Sequence, residues 1–304
     1  MQPIINYIKN PIGLCDSLVH TIGQWLPDSA YIKLRYRFQM GKRLNLKDPK
    51  TFQEKLQWLK LHDRNPLYTT LVDKVLVKDY VASKIGPQYV TPLLGVWDKP
   101  EDIDWDKLPN RFVLKTNHSG GNTGVVICLD KSTFDRKKAI DKLNASLRHD
   151  VYKDLREWPY KNVVKKVFAE DFIESAPGIK DLPDYKFFCF NGLVKALFVA
   201  TDRQTPGVDL KFDFFDSDYN HLPFRQGHPN SIMLPNKPKS FEDMKRLASI
   251  LSDGIPHVRV DFYEVNGKPI FGELTFCHFG GMVPFEPEEW DYKFGEWLDL
   301  SNVR

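Results

Sequence analysis

Two Asn-Gly dipeptides, at residues 191–192 and 266–267, constrain the fold of this chain more than any other feature of its sequence. Asn-Gly is the preferred centre of a two-residue hairpin turn, because both residues tolerate positive φ angles. Strand-like residues flank each dipeptide on both sides. They predict one hairpin with strands over 184–191 and 193–201, and a second with strands over 258–264 and 269–275. At least part of the protein is therefore antiparallel sheet.

The other patterns alternate between helix and strand. Helical patterns cover residues 1–68, 71–85, 133–158 and about 241–252. Residues 51–54 (Thr-Phe-Gln-Glu) form a capping box, so a helix should begin there. Further strands are predicted at 90–96, 111–116, 125–129, 163–173 and 210–216. A helical start followed by antiparallel hairpins that alternate with helices predicts an α+β fold.

Charge and cysteine content exclude several classes of protein. Lysine and arginine total 43, aspartate and glutamate total 40, and the formal net charge is +3. This balance gives no indication of a nucleic-acid partner. The cysteines at 15, 128, 189 and 277 form no CxxC pair, so neither a zinc ribbon nor a disulfide framework is expected. Without a run of about 18 apolar residues or a signal-peptide pattern, we expect a cytoplasmic protein.

A basic stretch rich in aromatic residues follows the first helical pattern. Its members are Lys33, Arg35, Arg37, Lys42 and Arg43, with Trp25, Tyr31, Tyr36 and Phe38 among them. Two interpretations stay open at this point. The stretch is either a solvated helix face or a surface that contacts a membrane or an anionic substrate. The second would hold the protein at the inner face of the membrane.

The hairpin predicted over 112–129 has a polar, glycine-bearing tip. Lys115 ends its first strand, and Ser119, Gly120, Gly121 and Asn122 follow. A lysine beside a glycine turn suits a polyphosphate, because the ammonium neutralises charge and the glycines allow backbone N–H groups to approach oxygens. The sequence GxxxxGK[ST] is absent, so this is not a P-loop. The alternative is that the tip is only a turn.

The second Asn-Gly hairpin carries two acids. Asp261 and Glu273 are 12 residues apart, a spacing that places both carboxylates on one face across the hairpin. Two unpaired acids in such positions repel each other. Mg²⁺ relieves that repulsion and prefers one or two carboxylates together with phosphate oxygens. The alternative is that Arg259 or a nearby lysine neutralises one of the acids.

Two shorter patterns are less specific. The strand that ends at Glu170-Asp171-Phe172-Ile173 could line a nucleotide base pocket with its backbone groups. Asp216-Ser217-Asp218 is a DxD tripeptide after a strand, the pattern that holds a metal on the donor diphosphate in sugar-nucleotide glycosyltransferases. The same tripeptide is also an ordinary turn.

Taken together and in this order, these motifs resemble those of the ATP-grasp ligases over about residues 70–304. Longer segments are similar to the TupA-like branch of that superfamily, which is named for teichuronopeptide biosynthesis. They are LNLKDPKTFQEKLQWLKLHDRNPLY (44–68), DKVLVKDYV (73–81), FVLKTNHSGG (112–121), DYKFFCFNG (184–192) and VRVDFYEVNGKPIFGELTF (258–276). Members of this branch often occur in polysaccharide gene clusters and are frequently labelled glycosyltransferases.

The resemblance implies an ATP-grasp fold, in which two α+β lobes clasp ATP. On that basis the chain divides into four parts. They are a helical N-terminal region (1–70), a linker helix and strand (71–111), a lid lobe (112–175) and a C-terminal lobe with the metal site (176–304).

The resemblance also implies which residues bind ATP. Lys74, Lys115 and Lys186 would contact the phosphates. A mobile glycine loop made of Ser119, Gly120, Gly121 and Asn122 would close over them. Glu170, Asp171 and Ile173 would line the adenine pocket, and Asp184 would take the ribose hydroxyls.

Metal and acceptor residues follow from the same resemblance. Asp261, Glu273 and Thr275 would hold Mg²⁺, although the family usually has Asn in place of Thr275 and a hydroxyl is a poorer metal ligand. Arg259 would face the transferred phosphate, and Arg203 would hold the acceptor carboxylate. Residues 277–281 (Cys-His-Phe-Gly-Gly) depart from the usual Pro-Gly ending and would shape the acceptor pocket.

The implied reaction is carboxylate–amine ligation through an acyl phosphate. The expected acceptor is a hexuronic acid in a polysaccharide, or in its nucleotide- or lipid-linked precursor, and the expected donor is an amino acid or small amine. Two alternatives remain at this stage. One is a glycosyltransferase that uses Asp216-Ser217-Asp218, and the other is a non-catalytic assembly factor on a degenerate ATP-grasp scaffold.

Overall fold

A computed structural model of the protein describes residues 19–21, 23–121, 123–174, 182–202, 207–301 and 303. Three residues singled out above lie outside this part of the chain: Cys15, Asn122 and Arg203. Within it, Cys128, Cys189 and Cys277 are buried free thiols. No helix of the described segments is long and apolar enough to cross a bilayer.

The described chain alternates helices and strands. The helices are α1 (Asp28–Met40), α2 (Phe52–His62), α3 (Leu67–Val72), α4 (Leu76–Ile85), α5 (Arg136–Arg148), α6 (Val151–Leu155), α7 (Phe241–Leu251) and α8 (Glu289–Trp297). The strands are β1 (Leu93–Trp97), β2 (Phe112–Thr116), β3 (Val125–Cys128), β4 (Val167–Asp171), β5 (Asp184–Phe190), β6 (Leu193–Thr201), β7 (Lys211–Asp216), β8 (His221–Leu222), β9 (Arg225–Gln226), β10 (Val258–Val265), β11 (Lys268–Thr275) and β12 (Phe285–Glu286).

These strands form two main antiparallel sheets. The smaller has the order β1-β4-β2-β3, and the larger has the order β11-β10-β5-β6-β7-β8. β9 and β12 form a separate pair. The hairpins β5–β6 and β10–β11 occur where the Asn-Gly dipeptides predicted them, and all four turn residues have positive φ: Asn191 (48°), Gly192 (81°), Asn266 (52°) and Gly267 (73°). The predicted α+β class is confirmed.

Helix boundaries differ from the sequence prediction where side chains hydrogen-bond to the backbone. Residues 71–85 read as one helix, but the structure ends α3 at Val72 and begins α4 at Leu76. Between the two helices, Asp73 Oδ1 accepts hydrogen bonds from the amides of Val75 (2.8 Å) and Leu76 (3.2 Å). This local competition with helical bonding is typical of aspartate. It places Lys74 on a turn between the two helices.

The larger sheet is covered on both faces, because alternate side chains of each strand point in opposite directions. Phe187 and Cys189 of β5 belong to an apolar cluster with residues of α4 and α7. Phe188 and Phe190 pack on the other face, against α2 and α8. The capping box at the start of α2 is present, with Thr51 and Glu54 bonded reciprocally. The N-terminal helix α2 is thus part of the layer that supports the larger sheet.

The basic, aromatic stretch is partly internal. Tyr31 and Tyr36 are fully buried, and Arg35 is 7% exposed and donates to the carbonyl oxygen of Asp154 at 2.7 Å. Lys33 and Arg37 are exposed. A solvated face therefore describes only part of this stretch, and the buried side chains cannot reach a membrane surface.

Candidate active site

A cleft of about 470 Å³ opens between the smaller and the larger of the two main sheets. The smaller sheet and its connections line one side. The larger sheet and the segment after β11 line the other. Lining residues with polar or charged side chains are Lys74, Lys78, Thr91, Lys115, Glu170, Asp171, Asp184, Lys186, Arg259, Asp261, Tyr263, Glu273 and His278. Most of the sequence-predicted site residues therefore face one cavity.

On the smaller sheet, one glutamate joins two lysines. Glu170 lies on β4 and Lys115 on the neighbouring strand β2, and their side chains form an ion pair. The other carboxylate oxygen of Glu170 is 2.8 Å from Lys78 Nζ. Burial alone would raise the pKa of Glu170, but Lys115 and Lys78 outweigh it and hold the pKa below its usual value. Glu170 thus orients Lys115 toward the cleft.

Sequence reasoning missed Lys78. It lies in α4 and donates to the carbonyl of Thr91 (2.8 Å) as well as to Glu170, which is 92 residues away in the chain. Only its spacing, four residues after Lys74, gave a signal. In the single helix predicted over 71–85, that spacing would place both lysines on one face; in the structure Lys74 precedes α4 and Lys78 lies in its first turn.

On the larger sheet, four charged side chains form a continuous network. Asp184 and Lys186 alternate along β5, and Lys186 is paired in register with Asp261 of β10. Lys186 Nζ is 2.7 Å from Asp184 and also contacts Asp261. Arg259 donates two hydrogen bonds to Asp261, from Nε to Oδ1 at 2.7 Å and from Nη2 to Oδ2 at 2.6 Å. Such bidentate geometry fixes both side chains.

A β-bulge brings Glu273 to the same place. The pairing of β10 with β11 shifts between Val260 and Phe262, opposite Gly272. A Cβ on Gly272 would lie 3.1 Å from the carbonyl oxygen of Asp261, so a residue without a side chain suits this close approach. Because of the shift, Glu273 and Asp261 both reach Arg259. The two acids share one face, as predicted, but the bulge produces this arrangement, because the regular register of the turn would pair Asp261 with Gly272.

Arg259 separates the two acids in this structure. Its Nη2 contacts Asp261 Oδ2 at 2.6 Å, Glu273 Oε1 at 3.0 Å and Thr275 Oγ1 at 3.0 Å. Neutralisation by Arg259 was the alternative to metal binding, and it is the arrangement observed. The three oxygens nevertheless converge on a single nitrogen of the guanidinium group, Arg259 Nη2.

This donor set fits Mg²⁺. Carboxylate and hydroxyl oxygens are the hard ligands that Mg²⁺ prefers, and it usually takes only one or two carboxylates from the protein. No cluster of three or more His, Cys, Asp or Glu side chains suitable for a metal occurs in the described ranges. An ion held here by Asp261 and Glu273 would therefore take its other ligands from phosphate and water.

Glu273 is the most strongly ionised of these acids. Burial would raise its pKa, but Lys74, Lys186 and Arg259 together hold the pKa well below its usual value. The carboxylate therefore stays charged throughout the neutral pH range.

Lys74 connects the two sides of the cleft. Its Nζ donates to the carbonyl oxygen of Ser119 at 2.7 Å and lies 3.4 Å from Glu273 Oε2. Ser119 itself is buried, while Gly120 and Gly121 are exposed at the tip of the hairpin. Gly121 has a φ of +58° and lines the cleft. The glycine tip and Glu273 thus contact the same ammonium group.

An apolar wall lies beside the Glu170 end of the cleft. Its members are Val113, Val125, Ile127, Phe168, Phe172, Ile173 and Leu182. Asp171 lines the same space. The carbonyl oxygen of Thr91 accepts a hydrogen bond from Lys78 there. A flat, apolar group with a few polar edges would fit this wall.

Aromatic side chains line another part of the cleft. The rings of Phe198 and Phe212 are tilted by 36° to each other with centroids 4.4 Å apart, and Phe279 stacks near-parallel to Phe212 at 5.9 Å. His278 lies beside them. Its Nδ1 accepts from Arg259 Nη1 at 2.8 Å, and burial and Arg259 hold the pKa of His278 well below its usual value. The histidine is therefore neutral and orients Arg259.

Helix α2 fixes the loop that carries His278 and Phe279. Phe279, Gly280 and Gly281 have consecutive positive φ angles of 52°, 62° and 66°. Lys60 Nζ donates to the carbonyl of Gly280 at 2.6 Å, and Gln57 Nε2 donates to those of Gly280 (3.0 Å) and Gly281 (2.7 Å). These bonds come from the N-terminal region and hold an otherwise strained loop against the cleft.

The DxD tripeptide forms a turn away from the cleft. Asp216 Oδ1 accepts from the amides of Asp218 (2.9 Å) and Asn220 (2.8 Å). Asp216 Oδ2 accepts from the side chain of Asn220 at 2.9 Å. This closed set of bonds is typical of an Asx turn. The structure favours the ordinary-turn interpretation.

Comparison with known proteins decides the family. The sequence profile of the TupA-like ATPgrasp family matches residues 54–299. The chain belongs to the TupA-like ATP-grasp family. The match covers both main sheets and α2 from Glu54 onward. Helix α2 supports the loop that carries His278. The sequence prediction of this family is confirmed.

Solved structures similar to this TupA-like protein are distant. A D-alanine–D-alanine ligase from Bacillus anthracis has a TM-score of 0.42 and 17% identity, over 72% of this chain and 62% of its own. D-alanyl-alanine synthetase A from Vibrio cholerae has a TM-score of 0.45 and 11% identity, over 80% and 70%. The ATP-grasp ligase PsnB, complexed with minimal precursor, Mg and ADP, has a TM-score of 0.38 and 10% identity, over 87% and 65%. This chain thus spans less than two thirds of the Bacillus anthracis ligase. Among curated proteins, none matches the sequence.

Proposed function

We propose that this protein is an ATP- and Mg²⁺-dependent ligase that joins a carboxylate to an amine through an acyl phosphate. The position of Lys74 carries the proposal, because this one ammonium touches both the glycine tip and Glu273. A polyphosphate bound under the tip would lie within reach of Lys74, Lys115 and Lys186. The acidic pair would hold the metal ion beside it.

The proposed chemistry needs positioning and charge stabilisation more than a side-chain nucleophile. An oxygen of the substrate carboxylate attacks the terminal phosphorus of ATP, and the bond to the bridging oxygen breaks to release ADP. The amine then attacks the acyl carbon, and inorganic phosphate leaves with one oxygen of the original carboxylate. The amine loses a proton, which completes the amide.

Each cationic residue has a role in this scheme. Lys115, oriented by Glu170, and Lys74 neutralise charge on the transferring phosphoryl group. Lys186 contacts the same group from the opposite sheet. Mg²⁺, when bound, supplies further neutralisation of the phosphate oxygens. Arg259, oriented by His278, lies between the acidic pair and the aromatic part of the cleft and faces the transferred phosphate.

The apolar wall beside Glu170 would take adenine, with Asp171 and Ile173 at its edge and Asp184 toward the ribose. The aromatic part of the cleft would take the acceptor. A hexuronic acid suits it, since a sugar ring stacks on aromatic faces such as Phe279 while its carboxylate points toward the transferred phosphate. The acceptor would be part of a surface polysaccharide or of its nucleotide- or lipid-linked precursor, and the donor would be an amino acid or small amine.

Nucleotide-dependent stabilisation tests the proposal. ATP with Mg²⁺ at about 100 times Kd should raise Tm by roughly 5 °C, whereas a UDP-sugar with Mg²⁺ should not. Lys115→Met should abolish the shift, because Lys115 faces the cleft. The fold should survive this change, because Glu170 keeps Lys78 as its partner. Lys268→Met, at an exposed position on β11, is the matched control and should keep the shift. Stabilisation by a UDP-sugar but not by ATP would instead favour a glycosyltransferase.

A further inference from the structure

Three consecutive apolar side chains protrude from the loop between β9 and α7. Ile232 is 103% exposed, Met233 86% and Leu234 44%. Isolated exposed apolar residues are ordinary in soluble proteins. A run of three consecutive apolar side chains with this exposure is not, and such runs mark sites of contact with a partner or a membrane. We call residues 232–234 the apolar tip.

The structure holds the apolar tip in place from both sides. Before it, the Ser231 amide donates to the buried carboxylate of Asp213 at 2.9 Å, and Asn230 Nδ2 donates to the carbonyl of Phe212 at 2.8 Å. After it, the Tyr219 hydroxyl donates to the carbonyls of Pro235 (3.3 Å) and Asn236 (3.0 Å). The tip is therefore a built protrusion on an ordered base.

This base adjoins the aromatic part of the cleft. The ring of His228 lies 4.5 Å from that of Phe212, which lines the cleft. Gly227 approaches Phe279 so closely that a Cβ there would lie 2.9 Å from the ring. A surface bound by the apolar tip would consequently lie close to the place where we expect the acceptor.

The shape and charge of the protrusion favour a lipid bilayer as its partner. A stable protein interface uses roughly 20–30 residues on each side, whereas the apolar tip offers three side chains that stand away from the surface. A fluid acyl layer accepts such a protrusion without a complementary pocket. Exposed Lys237 and Lys239 follow the tip. Lys237 forms an exposed ion pair with Glu242 at 2.8 Å, and its Nζ lies 4.3 Å from the centre of the Phe241 ring. Solvent screening of the ion pair leaves Lys237 able to attract anionic headgroups.

We propose that the apolar tip inserts into the surface of an anionic phospholipid bilayer and holds the acceptor part of the cleft against it. The membrane contact stands independently of the reaction. Its use, to present a lipid-linked acceptor to the cleft, rests on the proposed ligase function. This contact is separate from the basic stretch of the N-terminal region, in which Tyr31, Arg35 and Tyr36 are buried.

Vesicle partitioning tests the proposal. The full-length protein is mixed with sedimentable vesicles of phosphatidylcholine alone, or of phosphatidylcholine and phosphatidylglycerol in equal parts. We expect binding to both, and stronger binding to the anionic vesicles. A triple variant of the tip (Ile232→Ser, Met233→Ser, Leu234→Ser) should partition at least about tenfold less.

The control variant removes the same number of exposed apolar side chains elsewhere: Leu129→Ser, Val164→Ser and Leu193→Ser. It should bind vesicles like the wild type. Both variants should keep stabilisation by ATP and Mg²⁺, so failure of the membrane proposal can be told apart from failure of the proposed reaction. The proposal is overturned if the wild type does not sediment with either kind of vesicle, or if the tip variant binds the vesicles as strongly as the wild type. It is also overturned if the tip variant loses only self-association, which would assign the tip to a second copy of the chain.

Discussion

Glu273→Gln should reduce ATP-dependent turnover by at least about 100-fold, the scale at which loss of one preorganised charged group acts. The carboxylate is the group that Lys74, Arg259 and Thr275 all contact. Glutamine keeps its size but supplies a neutral oxygen, which is a poor partner for Mg²⁺ and leaves Lys74 without its counter-charge. Steady-state release of ADP with saturating substrates measures the effect.

The fold should survive this change, because Arg259 keeps its bidentate partner Asp261. Circular dichroism and urea unfolding check that point. Glu289→Gln is the matched control, since Glu289 forms an exposed ion pair with Lys293 and does not line the cleft. Its turnover should equal that of the wild type. Near-normal turnover in Glu273→Gln would show that the acidic pair is structural.

Gly295→Ala should lower the free energy of unfolding by at least about 2 kcal/mol, because the helices α2 and α8 cannot move apart without breaking other bonds. A Cβ at this position would lie 2.2 Å from the carbonyl oxygen of Lys50 and 3.0 Å from the amide nitrogen of Phe52. Both are backbone atoms that no rotamer change can move. Urea unfolding followed by tryptophan fluorescence measures the loss.

Gly120→Ala provides the control for backbone entropy. No atom lies within 4 Å of a Cβ built on Gly120, and its φ is not in the left-handed region. Its stability should stay within about 1 kcal/mol of the wild type. Equal stability of the Gly295 and Gly120 variants would mean that the contact between α2 and α8 is looser than the structure shows.

Local chemistry made the hairpins predictable. Asn191-Gly192 and Asn266-Gly267 specify tight turns through their own backbone preferences, so the flanking strands and their antiparallel pairing followed from sequence alone. The shared face of Asp261 and Glu273 depends in addition on the β-bulge at Gly272, because the regular register of the two-residue turn would pair Asp261 with Gly272. These features depend on residues fewer than 20 positions apart.

Contacts between distant segments were not predictable in the same way. Lys78 reaches Glu170 only because the fold brings the first turn of α4 next to β4, and nothing near Lys78 in the sequence indicates that. The role of α2 is similar: Gln57 and Lys60 look like ordinary helix residues, yet they bond to carbonyls more than 200 positions away. Their function depends on the assembled fold.

The choice between a metal and an arginine beside the acids could not be made from sequence. Arg259 sits two residues from Asp261 on the same strand face, so both partners were compatible with the spacing. Only the geometry shows one guanidinium nitrogen in contact with Asp261, Glu273 and Thr275. The same geometry identifies the oxygens that are available to Mg²⁺.

Transfer of a labelled oxygen tests the proposed reaction most directly. The protein is supplied with ATP, Mg²⁺, a pool of amines and a uronic acid whose carboxylate carries oxygen-18. An acyl phosphate requires one labelled oxygen to appear in inorganic phosphate for each ADP and each amide formed. Glu273→Gln should slow all three together. Product formed without ADP, or phosphate released without label, would contradict the acyl-phosphate mechanism.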